Sequence, residues 1–137
     1  MNRGVLCSLL LLSIIILIFC IKRPYKPSEL IKRLKSKLGM VNQDFINYDI
    51  RESVDGSFTE GKATVYICTR DPETKEYYSD NTLIYVCLHE CAHMMDKTYN
   101  EKHDDKFKSI FKKLLNDAER VGIYDSKIPI PRTYCGL

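Results

Sequence analysis

Two different apolar patterns divide the chain at about residue 23. Residues 4–21 form an apolar run without a charged side chain, whereas apolar and polar positions are mixed in the rest of the chain. At ~1.5 Å per helical residue, the run is long enough to cross most of a ~30 Å hydrocarbon layer. It predicts a transmembrane anchor at 1–23 and one domain at 24–137. A cleaved signal peptide is the alternative, because Arg3 supplies a short basic region before the run.

Beyond the two prolines at positions 24 and 27, three segments repeat apolar residues at helical spacing. Ser28 is a candidate N-cap for the first helix, and Gly39 and Gly122 are candidate stops for the first and third. Asp80 or Asn81 is placed to cap the second. The predicted helices cover residues 28–38, about 80–97 and about 104–121.

Two stretches between the first and second helices carry β signals. Phe45 to Ile50 is a candidate strand, and Ala63 to Cys68 is the clearest one, because β-branched and aromatic residues dominate it. Turn residues lie between them. The expected fold is α+β: a minimal domain in which a small, mostly antiparallel sheet packs on a central helix and a C-terminal helix, preceded by one transmembrane helix.

Charge and cysteine content bear on the compartment. The formal net charge is +3; Arg3 alone precedes the apolar run, while seven Lys and Arg residues fall between positions 22 and 37. By the positive-inside rule this predicts a single-pass membrane protein whose C-terminal domain faces the cytosol. The basic cluster is more typical of contact with lipid headgroups than with nucleic acid, with a solvated helix face as the alternative. In a reducing compartment Cys68, Cys87, Cys91 and Cys135 are expected to be buried free thiols.

The second predicted helix contains His89-Glu90-Cys91-Ala92-His93, an H-E-x-x-H pattern. Residues at i and i+4 lie about 40° apart around a helix and one turn apart along it, so both imidazoles can reach one ion at ~2.0–2.1 Å. Glu90 projects beside them, where a carboxylate can act as a general base. Cys87 and Cys91 project to the far side of the same helix and are interpreted as core residues.

A catalytic zinc site takes three protein ligands and leaves one position open to water. His103 is the candidate third ligand, because the chain contains three histidines in all. Asp96 lies on the right face, but too far along the helix axis to meet the same ion. Four acidic residues are also possible as the third ligand: Glu101, Asp104, Asp105 and Glu119.

Two blocks of sequence resemble the WLM and SprT-like metallopeptidases: the L-H-E-x-A-H block at 88–93 and the H-x-x-x-F block at 103–107. Residues 65–70 are similar to the strand that precedes the active helix in that group. The resemblance implies a zincin-like fold, zinc on His89, His93 and His103, Glu90 as base, and Phe107 as a core residue that holds the last helix. Compact membrane-anchored versions look more like proteins of large DNA viruses than like cellular repair enzymes.

These observations predict a membrane-anchored zinc metallopeptidase that hydrolyses protein or peptide substrates with Glu90 as general base. A substrate strand is expected to pair with an edge strand near residues 64–68. The alternative is a catalytically inactive zinc-binding protein, tethered to the membrane, with an interaction or structural role. Glu90 argues against it, because a structural site has no need of an acid beside its first ligand. Candidates for assisting the oxyanion are Tyr99, Tyr124, Arg132 and Tyr134.

Overall fold

A computed structural model describes residues 12–13, 25–61, 64–96 and 103–136. These residues form a small α+β domain with three α-helices and one three-stranded sheet. In chain order the elements are α1 (Glu29–Val41), a 3-10 helix (Gln43–Asn47), β1 (Asp49–Ser53), β2 (Phe58–Glu60), β3 (Thr64–Cys68), α2 (Asp80–Met95), α3 (Asp105–Arg120) and a terminal 3-10 turn (Tyr134–Gly136).

The sheet has the spatial order β1-β3-β2, with β3 at its centre. β1 pairs with β3 in parallel over five residue pairs, whereas β2 pairs with β3 antiparallel over three. The prediction of a mostly antiparallel sheet is therefore wrong, and the sheet is mixed. The expected edge strand near residues 64–68 is wrong as well, because β2 crosses to the far side of β3 and leaves β1 and β2 as the two edges.

The core lies where α1 and α2 cover the sheet, and α3 packs against both of these helices. α1, β3 and α2 contribute fully buried apolar side chains, and the removal of each from water stabilises the fold by about 1.5–3 kcal/mol. They include Leu34 and Leu38 of α1, Val65 and Ile67 of β3, and Ile84 and Leu88 of α2.

The ends of the helices follow local signals in the sequence. Ser28 is the N-cap of α1, as predicted, and its hydroxyl accepts from the backbone N–H of Ile31 at 3.3 Å. The N-cap of α2 is Ser79, one residue before the nearer of the two predicted caps, because the Ser79 hydroxyl accepts from the backbone N–H of Thr82. Gly122 follows α3 at a φ of 76°, a conformation that glycine adopts without strain and that ends a helix.

The segment after α1 differs from the prediction. The helix continues through Gly39 to Val41, and a Cβ at position 39 would lie 2.7 Å from the side chain of Ile46. Gly39 therefore permits close packing and does not stop the helix. Phe45 lies in the 3-10 helix with its ring buried, so the strand begins later, at Asp49. Aromatic residues favour strands mainly because their rings pack well there, and in the 3-10 helix the ring of Phe45 is packed as well.

The predicted membrane anchor requires correction. None of the helices in the described ranges is long and apolar enough to cross a membrane. About 20 apolar residues are needed for a span, whereas the longest of these helices, α2 and α3, have 16 residues each and carry charged side chains. This finding overturns the transmembrane helix in the predicted fold and the single-pass, cytosol-facing localisation that depended on it. Of residues 4–21, only Leu12 and Ser13 are among the described residues.

The cysteines also differ from the prediction. Cys68 at the end of β3 and Cys135 near the C-terminus form a disulfide, with their Cα atoms 6.3 Å apart. Cys87 and Cys91 are free and buried, as expected. The expectation of four free thiols was wrong for the first pair, because 67 residues separate the two cysteines and their spacing gives no sign that the chain returns to β3. A disulfide is typical of an oxidising environment, which also disagrees with a cytosolic domain.

Candidate metal centre

Two helices bring the three histidines together. His89 and His93 lie one turn apart on α2, and His103 lies just before α3. Nε2 of His103 is 3.1 Å from Nε2 of His89 and 3.2 Å from Nε2 of His93. The potential ligand atoms of all three residues lie within 4.8 Å of one another. The structure therefore brings the three predicted ligands to one point.

The spacing of these nitrogens fits a metal ion. Tetrahedral ligands at ~2.0–2.1 Å from zinc are ~3.3 Å from each other, close to the two distances found here. Hydrogen bonding alone does not explain the arrangement, because a neutral imidazole carries one N–H and Nε2 of His103 faces two other nitrogens. The three imidazoles can hold a metal ion, and within the described ranges they form the one group of this kind.

Phe107 packs against all three imidazoles. Its ring centroid is 4.3 Å from that of His93, 4.7 Å from that of His103 and 5.1 Å from that of His89. Its side chain is buried, as predicted. Burial, and to a smaller extent the nearby imidazole of His89, lowers the pKa of His93. Its ring therefore remains neutral, and able to bind a metal, at a lower pH than that of an ordinary histidine.

Glu90 is buried beside the histidines and is held at both carboxylate oxygens. Its Oε1 lies 3.2 Å from Nδ1 of His89, and its Oε2 accepts a hydrogen bond of 2.9 Å from the hydroxyl of Thr59. A proton on Nδ1 of His89 satisfies the first contact and leaves the lone pair of Nε2 directed at the centre. Thr59 was not predicted from the sequence, because the stretch that forms β2 was interpreted as turns between the two candidate strands.

Asp96 is not a ligand but a link between the two helices. It is the C-cap of α2, and its Oδ1 pairs with Nζ of Lys106 in α3 at 2.8 Å. The Asp96 side chain is 2% exposed and that of Lys106 is 53% exposed. This ion pair joins the residues on either side of the segment 97–105 and so restrains the position of His103.

The acidic residues that were candidates for the third ligand do not join the cluster. Asp104 is the N-cap of α3, where its carboxylate accepts from the backbone N–H of Phe107 at 2.9 Å. Asp105 is exposed, and Glu119 accepts a hydrogen bond from a serine seven residues further on. Glu101 lies outside the described residues.

Cys87 and Cys91 have no part in the centre. Both thiols are fully buried in the core. Burial raises the pKa of each, so both remain protonated at neutral pH and are unsuited to bind a metal. The interpretation of these two cysteines as core residues is confirmed.

The candidates for assisting an oxyanion make other contacts, are exposed, or lie outside the described residues. The phenol of Tyr134 donates its hydrogen to the carbonyl of Cys68, and burial raises its pKa. The ring of Tyr124 packs against the ring of Tyr85 in α2. Arg132 is exposed. Tyr99 lies outside the described residues. None of these residues is therefore assigned a role in stabilising an oxyanion.

The chain is similar to two proteins of invertebrate iridescent viruses. It is 40% identical over 93 residues to the uncharacterized protein 042R of Invertebrate iridescent virus 3, a match that covers 68% of this chain and 57% of the relative. It is 36% identical over 107 residues to the uncharacterized protein 136R of Invertebrate iridescent virus 6, over 76% of this chain and 59% of the relative. The chain thus spans less than two thirds of the length of either relative. No known family and no solved structure matches the chain.

Proposed function

We propose that the domain is a zinc-dependent metallopeptidase in which Glu90 is the general base for peptide-bond hydrolysis. The observation that carries the proposal is the convergence of three histidine nitrogens beside a buried carboxylate that is not a ligand. A structural zinc site closes with four protein ligands, whereas a catalytic one uses three. Among the described residues, the cluster supplies three.

Zinc bound by His89, His93 and His103 would acidify a water molecule and polarise the carbonyl of a scissile peptide bond. Glu90 accepts the proton of the attacking water and can pass it to the leaving amine. Thr59 and His89 fix its two carboxylate oxygens before substrate arrives. The base therefore needs no rearrangement during the reaction, which is a condition for efficient proton transfer.

The substrate in this proposal is a protein or peptide in extended conformation. β2 is an edge strand, and an edge presents backbone groups that an added strand can pair with. The same strand reaches the site, because Thr59 contacts Glu90. A peptide added along β2 would therefore pass next to the base.

The resemblance to the WLM and SprT-like metallopeptidases supports the same chemistry. It rests on the blocks at 88–93 and 103–107, and the residues that it implicates as ligands are the ones that converge. Glu90 occupies the position of the base in that motif. Phe107, which ends the second block, packs against the imidazoles.

Replacing Glu90 by glutamine tests the proposal with the full chain. Glu90→Gln keeps the size of the side chain but cannot accept the proton, so we expect hydrolysis of a peptide library to fall ~10²–10⁴-fold with the bound zinc unchanged. Glu52→Gln is the matched control, because Glu52 accepts a threonine hydroxyl at the same distance, 2.9 Å, away from the histidines. If the zinc-loaded parent cleaves nothing in the library, the domain is a zinc-binding protein without turnover.

A further inference from the structure

A cavity of about 300 Å³ opens beside the metal centre. His89 and Glu90 line it on one side, so a molecule in the cavity would lie next to the base and one of the ligands. The remaining walls are mainly apolar. They are formed by Ser57, by Tyr85 and Val86 of α2, and by Ile130, Pro131 and Tyr134 of the C-terminal segment, residues 130–135.

The C-terminal segment is fastened to β3 at its last residues. The disulfide between Cys68 and Cys135 is a covalent link, and the phenol of Tyr134 donates to the carbonyl of Cys68. The hydroxyl of Ser57 contacts the same phenol oxygen at 2.8 Å and accepts from the N–H of Cys68. The backbone N–H of Cys135 donates to the hydroxyl of Tyr78 at 2.8 Å. The position of this wall of the cavity therefore depends on the contacts of Tyr134 and Cys135 with β3, Ser57 and Tyr78.

We propose that this cavity is the subsite for an apolar side chain of the peptide substrate, and that the Cys68–Cys135 disulfide holds its C-terminal wall in place. The inference rests on the proposed function and adds the substrate class. A charged side chain would lose its hydration there against apolar walls, whereas an aliphatic or aromatic one gains from burial. The subsite thus selects peptides with an apolar residue beside the scissile bond.

Linear alkyl hydroxamates test the subsite without turnover, because the hydroxamate binds the metal and only the alkyl chain varies. Binding of acetohydroxamate, butanohydroxamate, hexanohydroxamate and octanohydroxamate to the zinc-loaded full chain is measured by titration calorimetry. Each methylene that enters the cavity should strengthen binding by up to about fourfold, until the chain outgrows the cavity. Affinity that is independent of chain length would overturn the subsite.

Two isoleucines of the same stretch provide a matched pair. Ile130 lines the cavity, whereas Ile128 is 47% exposed and does not line it. Ile130→Asp places a charge in the wall and should abolish the increase of affinity with chain length, while binding of acetohydroxamate is retained. Ile128→Asp should leave the increase of affinity unchanged. An equal response of the two variants would overturn the assignment of the wall.

The role of the disulfide is tested by Cys135→Ser and by reduction with a water-soluble phosphine. In the reduction, the S–S bond breaks, both sulfurs become thiols, and the phosphine is oxidised to its oxide with oxygen from water. Either treatment should weaken the binding of hexanohydroxamate at least severalfold more than the binding of acetohydroxamate. Circular dichroism checks that the domain stays folded, and Ile130→Asp still decides the subsite if Cys135→Ser does not fold. An unchanged dependence on chain length in the folded, reduced protein would overturn the role of the disulfide.

The probes also separate this inference from the proposed function. If acetohydroxamate shows no zinc-dependent binding, the open metal site fails, and the subsite fails with it. If acetohydroxamate binds but longer chains bind no better, the subsite alone is overturned and the proposed function stands.

Discussion

The hydroxyl of Thr59 on the edge strand β2 donates a hydrogen bond of 2.9 Å to Oε2 of Glu90 on helix α2. Since Nδ1 of His89 contacts the other oxygen, the carboxylate is fixed by one residue of the sheet and one of the helix. A strand added to β2 would follow the backbone of the residue that fixes the base. In the proposed mechanism, the same short strand would therefore position both the substrate and the base.

Thr59→Val should lower kcat while leaving the bound zinc unchanged. Valine has the shape of threonine but no hydroxyl, and a hydrogen bond to a charged group contributes about 1.5–3 kcal/mol, so we expect a loss of ~10-fold or more. Thr59→Ser keeps the donor and should restore most of the rate. Equal rates for the valine and serine variants would show that the hydroxyl does not position Glu90. The measurements are the rate of peptide hydrolysis and the zinc content of the parent and of the two variants.

His103→Ala should weaken zinc binding by more than the ~10–100-fold typical of losing a hydrogen-bonded neighbour of a ligand. The reason is that one of three converging nitrogens disappears. Asp105→Ala is the control, because that exposed carboxylate is two residues away and outside the cluster. Competition with a chromophoric chelator measures both affinities. Similar affinities for the two variants would refute the assignment of His103.

Lys106→Met should destabilise the domain by about 1–2 kcal/mol, because it removes one charged partner of a buried carboxylate. It should also weaken metal binding, since the Asp96–Lys106 pair restrains the segment that contains His103. Lys108→Met is the matched control: its ion pair with Asp105 is 3.7 Å long and exposed on both sides, so its loss should change stability little. Urea unfolding and chelator competition measure the two effects. Equal destabilisation by both variants would contradict the role of the pair.

Asp80 should make stability depend on pH. Hydrogen bonds from Arg33 and then Lys37 hold the pKa of its carboxyl below the usual range. The stabilisation is therefore fully present above the unfolded pKa of ~3.9 and is lost as the pH falls through the lower folded value. Because the side chain is 35% exposed and solvent screens the pair, we expect about 0.5–1 kcal/mol at pH 6.

The measurement for Asp80 is the free energy of unfolding of the parent and of Asp80→Asn between pH 2 and pH 6. The difference between them should vanish at the acid end and shrink in ~1 M salt. A difference that grows as the pH falls would have the wrong sign and would exclude the ion pairs as its cause.

The parts of the molecule that were predictable have local causes. The spacing of His89 and His93 places both on one face of a helix, whatever that helix packs against. Asp104 and Gly122 mark the start and end of α3 through hydrogen bonds and backbone conformation within a few residues. His103 could be proposed because the chain has three histidines and a catalytic site takes three protein ligands.

The parts that were missed depend on residues far apart in sequence. The place of β3 between β1 and β2 follows from pairing across the whole sheet, so the edge strand and the contact of Thr59 with Glu90 could not be read from strand signals. The pairing of Cys68 with Cys135 depends on where the last residues of the chain lie.

The membrane prediction rested on the length of one apolar run, and the cytosolic placement and free thiols were derived from it. The errors in the localisation and in the state of Cys68 and Cys135 therefore share a single origin.

The disulfide between Cys68 and Cys135 closes a covalent ring that contains the three histidines and Glu90, whereas Thr59 lies outside it. A single cut anywhere inside the ring, including one made by the protein on itself, leaves both pieces attached to each other. Such a nicked chain would migrate as one band in a gel run without reductant and as two bands with it. Self-cleavage inside the ring would thus change the band pattern only after reduction, and before reduction it would add the mass of one water to the chain.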